Sequence, residues 1–330
     1  MFVASPDRYD GKMPYRRCGE SGLLLPAISL GCWHNFGHDD NLLEARAMLR
    51  RAFDRGVTHF DLANNYGPPA GSAEENVGKI LAEDFAGHRD ELILSTKAGH
   101  TMWQGPYGDH GSRKHLLASL DQSLRRLRVD YVDIFYSHRP DPETPLEETI
   151  EALASVIQQG KALYVGLSKY PLEPLKKAVR MLSDLGVRCS IYQPPFSILN
   201  RWPETNGIHD WLADHGIGSV VFSPLAQGML TGKYVEGIPD TSRAARPEGF
   251  LQAEQVQEHA ARIKQLQQLA DDLGQPLHHL AIRWVLAREP VTSAIIGARN
   301  VEQLNSCLDS LQSAPLKKST LARIDSICGF

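Results

Sequence analysis

The amino-acid sequence predicts an α/β fold in which eight strand–helix units close into a (β/α)8 TIM barrel, with an N-terminal β-hairpin and a long loop after the seventh strand. Short apolar runs alternate with longer helical patterns from one end of the chain to the other. The runs are almost continuously apolar, as expected of strands covered on both faces in a parallel sheet. No GxGxxG follows the first run, which argues against the runner-up, an open doubly wound sheet. With 330 residues and 42% hydrophobic content there is ample core material, and a barrel of this length is expected to be one domain spanning 1–330.

Before the first strand, "PYRRCGESGLLLPA" (14–27) is expected to form the hairpin and close the barrel bottom. The strands then follow as "AISLGCW" (27–33), "THFDLA" (58–63), "LILSTKA" (92–98) and "YVDIFYSH" (131–138). The second half supplies "ALYVGLS" (162–168), "CSIYQPP" (189–195), "SVVFSPL" (219–225) and "SAIIGA" (293–298). All are rich in Val, Ile, Leu and Tyr and too short for helices. Between them, Leu116, Leu120, Leu124 and Leu127 recur at helical spacing behind Ser112, a predicted N-cap. Thr144 and Glu147 have capping-box spacing, Pro145 suits a first turn, and Gly160 an exit. Residues 226–253 form a Gly/Pro-punctuated insert after the seventh strand, the usual length for a lid or binding loop. The tail, "LKKSTLARIDSICGF", reads as a last helix.

Composition excludes several function classes. A net charge of −4 offers no basic surface for nucleic acid or an anionic membrane. The first residues lack the apolar stretch of a secretory signal, and no apolar run reaches the roughly 18 residues of a membrane span. The five cysteines are scattered with no CxxC, which fits reduced thiols in a cytoplasm better than a disulfide frame or a zinc site.

In a barrel, reactive side chains gather at the C-terminal ends of the strands. The second strand ends near Asp61, and Tyr66 lies in the turn-rich loop behind it. The third ends at Lys97 and the fourth at His138. Neighbouring strands bring these four into one pocket. An acid, a phenol, an amine and an imidazole suit proton transfer: an ammonium stabilises phenolate, an acid holds the ammonium, and an imidazole binds the substrate oxygen or the phenol. No nucleophile elbow, HExxH or clustered metal ligands compete with this reading.

With these residues placed, the sequence resembles an aldo-keto reductase over nearly its whole length. The motifs are "GVTHFDLANNYG", "LSTKAG", "YVDIFYSHRPD", "YVGLSKY", "FSPLAQGMLTGKY" and "IIGARNVEQL". Asp61, Tyr66, Lys97 and His138 fall on that family's catalytic tetrad. The resemblance implies hydride transfer from NADPH to a small aldehyde, leaving NADP+, with Tyr66 as general acid and no metal. "HRPDPETPLEET", "GIPDTSRA" and "YGPPAGSAE" resemble bacterial L-glyceraldehyde 3-phosphate reductases and the β-subunits of voltage-gated potassium channels. Those subunits typically carry asparagine where this chain has His138, so histidine favours the reductase branch. L-Glyceraldehyde 3-phosphate, then methylglyoxal, are the implied substrates, with Trp33, Tyr66, His138 and Arg139 at the substrate and Lys169 near it as a second cation for a phosphorylated aldehyde. Arg139 is alternatively a structural ion pair with Asp141 or Glu143. An NADPH-binding regulatory module with weak reductase activity is the competing reading. Relatives in this branch often form tetramers or larger rings, so the resemblance implies a homo-oligomer as one open state.

The resemblance also implies cofactor contacts. Cys32, Trp33 and Asp61 would line the nicotinamide, Ser168, Lys169 and Gln193 would meet its carboxamide side, and Phe222 would stack on its ring. Ser223, Leu225, Gln227 and Gly228 would face the pyrophosphate, and Lys233 and Arg243 would reach the cofactor phosphates. Gly297, Arg299 and Gln303 would hold the adenosine end at a helix N-terminus. Lys169 stands where most reductases have asparagine. Ser306 and Cys307 replace an expected Glu–Asn pair that contacts adenine.

Overall fold

The computed structural model describes residues 2–240, 242–245 and 250–330. Two strands, β1 (Tyr15–Arg17) and β2 (Leu24–Pro26), pair antiparallel as the expected hairpin. Eight more follow: β3 (Ile28–Gly31), β4 (His59–Asp61), β5 (Ile93–Ala98), β6 (Val132–Ser137), β7 (Ala162–Ser168), β8 (Cys189–Gln193), β9 (Gly218–Phe222) and β10 (Val291–Ile296). They close into a parallel barrel in chain order, with β10 returning to β3. Each of the eight apolar runs supplies one of these strands.

The hairpin acts as a plug. Cys18, Leu23 and Leu25 pack against the inward side chains Ile134, Tyr136, Ile191, Val220 and Ile295. Its position at the bottom is fixed by backbone bonds: Glu20 N–H donates to the Gly216 carbonyl, just before β9. Inside the barrel, Tyr136 fits only because β7 has Gly166 opposite it; a Cβ there would lie 2.4 Å from the Tyr136 ring.

Helices cover the outside. Arg113–Leu127 is capped by Ser112, whose hydroxyl accepts from the His115 N–H, and it buries Leu116, Leu120 and Leu127 while Leu124 is partly covered. The expected capping box at Thr144 does not form. The helix starts at Leu146 after Pro145 and has no side-chain cap, and the Thr144 N–H that Glu147 would accept in a capping box donates to Asp141 instead. The barrel's seventh unit carries two helices, Ala253–Asp272 and Leu277–Leu286, and its last strand is followed by Val301–Asp309 and Lys318–Cys328. The insert before them holds two short 3-10 turns, Ala226–Thr231 and Arg243–Ala245. No helix among the described residues is long and apolar enough to cross a membrane.

Candidate active site

The side chains of β4 and β5 alternate, so residues two apart share the inward face. His59 and Asp61 point inward from β4, Ser95 and Lys97 from β5. Asp61 sits opposite Ser95 in the parallel register, which brings Lys97 level with the loop beyond β4.

Lys97 is fully buried, and its ammonium spends all three hydrogens. Nζ donates to Asp61 Oδ2 at 2.6 Å, to the Leu62 carbonyl at 2.6 Å and to the Tyr66 hydroxyl at 3.3 Å. Burial opposes its charge, but Asp61 and Tyr66 hold the ammonium above the ordinary lysine range. Tyr66 behaves differently from the sequence expectation. Burial raises its phenol, and the Lys97 ammonium offsets only part of that rise. Tyr66 is therefore protonated at neutral pH and keeps a hydrogen to give.

Asp61 is held from its other side by Ser95 Oγ at 2.7 Å and Gln193 Nε2 at 3.0 Å. A longer chain stands behind that serine. The single Ser95 hydrogen goes to Asp61, so the 2.9 Å contact with His59 Nε2 is an N–H donated by His59. His59 Nδ1 must then accept from Ser29 Oγ at 2.8 Å, and Ser29 in turn accepts from Ser293 at 2.6 Å. Burial pushes His59 down to about 4, which keeps it neutral as this pattern demands. Sequence reasoning passed over His59, Ser95, Ser29 and Ser293. Their signal was the two-residue spacing of His59 from Asp61 and of Ser95 from Lys97.

His138 follows β6, buried, its ring edge-on to Tyr66 with centroids 6.0 Å apart. Burial, Lys97 and Lys169 hold it well below the usual histidine value. It is thus a neutral imidazole, not the group titrating near neutrality that residue type alone suggests. Another histidine, His100, stands edge-on to it at 4.4 Å and accepts from Lys169 Nζ at 3.2 Å. Arg139 does not reach into the pocket. Its guanidinium donates to the Gly99 carbonyl and pairs with Asp109, both at 2.7 Å, so neither Asp141 nor Glu143 is its partner.

Trp33 lies over Tyr66 at 5.7 Å and is itself met edge-on at 4.9 Å by Phe250 from the long insert. Phe250 escaped the sequence reading, since a lone aromatic in a loop carries no pattern. Cys32 is fully buried beneath Trp33. Ser168 Oγ donates to the Gln193 carbonyl, which places both side chains at the ends of β7 and β8 beside Asp61.

The remaining cofactor candidates cluster along the loops after β9 and β10. Phe222 ends β9 partly exposed. The chain beyond it turns through left-handed residues, Ser223 at φ 56°, Ala226 at 47°, Gln227 at 57° and Gly228 at 98°. Such a run in non-glycine residues is uncommon and concentrates at functional loops. Leu225 lies partly exposed within this turn. A Cβ on Gly228 would lie 3.0 Å from Lys233 Nζ, so the loop and the cation meet where phosphates were expected. The Arg243 side chain lies outside the described residues. Gly297 has open space around it, and the helix that begins at Val301 is capped by Asn300. Gln303 Oε1 accepts from the exposed Arg299 N–H. Ser306 is engaged by His278 and His279, and Cys307 is buried. Loop geometry, cation and open glycine together fit a dinucleotide phosphate chain. Among the described residues, no group of three or more His, Cys, Asp or Glu is placed to hold a metal.

The aldo/keto reductase family model matches residues 27–328. An L-glyceraldehyde 3-phosphate reductase of Escherichia coli K12 is 52% identical, covering 98% of this chain and 95% of that protein, and the O157:H7 protein of that name matches equally. A probable voltage-gated potassium channel subunit beta of Arabidopsis thaliana is 36% identical over 92% of this chain and 93% of its own length.

Proposed function

The chain belongs to the aldo/keto reductase family and is an oxidoreductase, and from that premise we propose that it uses NADPH to reduce small aldehydes, L-glyceraldehyde 3-phosphate foremost and methylglyoxal among the weaker substrates. The observation that carries this reading is the contact of Lys97 Nζ with the Tyr66 hydroxyl at the barrel mouth. Bound NADPH supplies the hydride. Tyr66 gives its hydroxyl hydrogen to the carbonyl oxygen, and the phenolate left behind faces the Lys97 ammonium. Asp61 keeps that ammonium charged and fixed. Neutral His138 orients the substrate oxygen by donating an N–H, and Trp33 forms the aromatic wall. The fit of the β9 and β10 loops to a dinucleotide supports Phe222, Ser223, Leu225, Gln227, Gly228, Lys233 and Gly297 as its contacts. Five buried free cysteines support a reducing, cytoplasmic setting.

Tyr66→Phe tests this. It keeps the ring and removes the donor, so aldehyde-dependent NADPH oxidation is expected to fall at least about 10²-fold with NADPH affinity nearly unchanged. Near-parental turnover would remove Tyr66 from the proton-donor role. The likeness to potassium channel β-subunits favours a second reading, a regulatory NADPH-binding module. A parent enzyme that turns over every small aldehyde only marginally would favour that module.

A further inference from the structure

Lys169 differs from Lys97 and Arg139, two other cations near the barrel mouth, in what surrounds it. It follows β7 in a left-handed conformation at φ 61°, an uncommon one for a residue with a side chain. Its ammonium is largely withdrawn from water, and among the described residues its hydrogen-bond partner is the neutral ring of His100 at 3.2 Å. No carboxylate among the described residues pairs with it. Lys97 has Asp61 and Arg139 has Asp109, at 2.6 and 2.7 Å. His100 also stands edge-on to His138 at 4.4 Å. Lys169, His100 and His138 follow three adjacent strands, β7, β5 and β6, whose ends are level in the sheet. A cation lacking an anion thus lies one ring away from the group that meets the substrate oxygen.

We propose that Lys169, held in place by His100, is the subsite for the phosphate of a short phosphorylated aldehyde. This rests on the reductase reading above and names the group that would select the phosphorylated substrate. In a three-carbon aldehyde phosphate the carbonyl and the phosphate stand at opposite ends of the chain, which suits a carbonyl at Tyr66 and His138 with its phosphate beyond His100. Of the two cations the sequence offered for this task, Arg139 and Lys169, Arg139 is committed to Asp109 and Gly99. The phosphate supplies the counter-charge that the fold withholds, and a bond from Lys169 to a charged phosphate oxygen is stronger than its bond to the neutral His100 ring. Burial, with Lys97 and Arg139, lowers the Lys169 ammonium to about 8. His100 and His138 are neutral, and Asp109 is occupied by Arg139. Lys169 is therefore the group at this end that loses charge as the pH passes about 8.

The test compares L-glyceraldehyde 3-phosphate with unphosphorylated L-glyceraldehyde in the parent and in Lys169→Met and Lys169→Arg, with NADPH affinity measured alongside. The quantity read is the ratio of the two kcat/KM values. The parent is expected to favour the phosphorylated aldehyde, Lys169→Met to lower the ratio roughly 10- to 100-fold, and Lys169→Arg to restore most of it. The parental ratio is also expected to fall above a pH of about 8 and to be flat in Lys169→Met. A parental preference that survives in Lys169→Met overturns the subsite while leaving the substrate reading intact. A parent with no preference overturns the substrate reading itself. A fall in NADPH affinity with the ratio unchanged would assign Lys169 to the cofactor instead.

Discussion

Replacing Lys97 with methionine keeps the bulk of the buried stem and removes the ammonium. Asp61 then retains its neutral donors, Ser95 and Gln193, and loses the cation 2.6 Å away. At that distance, with an effective dielectric near 20, the pair attracts by about 6 kcal/mol. Desolvation of both ions offsets most of this in the parent, but removing one partner strands the other, a net loss of about 3–5 kcal/mol. In a chain of 330 residues that lowers Tm by about 4–7 °C. The double variant Asp61→Asn/Lys97→Met is neutral and similar in volume, so it is expected to recover all but about 1–2 kcal/mol. Turnover behaves differently. Both variants lack the cation that faces the phenolate, so both are expected to stay at least about 10²-fold below the parent. Thermal melts and NADPH-oxidation assays on the three proteins read the two effects separately. If turnover returned together with stability in the double variant, Lys97 would be scaffold only and the proton-transfer argument would fail.

Three further outcomes are expected. His138→Asn should lower turnover at least about 10-fold while leaving NADPH affinity close to parental, and the parental rate should show no His138 titration between pH 6 and 8, since that ring stays neutral; an inflection there that the variant abolishes would contradict this. NADPH should be preferred over NADH, with the preference weakened by Arg243→Ala, because charge-assisted contacts from the insert would favour a 2′-phosphate; equal affinities in the parent would refute it. His59, depressed in the fold to about 4, favours the folded state above its unfolded value near 6.5, and this stability is lost as the pH falls through that window toward 4, on the order of 3 kcal/mol in all. Melting curves of the parent and His59→Gln across that range should converge as the pH falls; parallel curves would rule out the neutral buried ring.

The barrel was legible because parallel strands covered on both faces leave uninterrupted apolar runs, and all eight did so. Asp61, Tyr66, Lys97 and His138 were legible because strand ends in a barrel converge whatever the loops do. The phenol's direction was not. Whether Lys97 or burial dominates at Tyr66 depends on how deep the ring sits, which spacing does not encode. Arg139 misled for a related reason: its true partner, Asp109, lies on a different loop 30 residues earlier, a pairing set by tertiary contact. The Thr144–Glu147 capping box failed because Asp141 takes the Thr144 N–H that Glu147 would have accepted, and the helix starts one residue later behind Pro145.

The line of hydroxyls and imidazole that crosses from β10 through β3 and β4 to β5 inside the barrel has a direction, and that direction constrains how the core can change. Each hydroxyl has one hydrogen to give, so the carboxylate at the top dictates the orientation of every bond below it, down to Ser293 beside Ser29. Sites along this line are therefore not interchangeable. Ser293→Ala removes only the outermost donor and lets Ser29 keep its bond to His59. Ser29→Ala leaves a ring nitrogen buried with nothing to accept from, and Ser95→Ala strips Asp61 of a donor and strands an N–H as well. Tolerance to substitution should fall step by step from Ser293 toward Asp61. A change at any inner link is then expected to be accepted readily only alongside a compensating change at its neighbour, so that these scattered positions drift as a set.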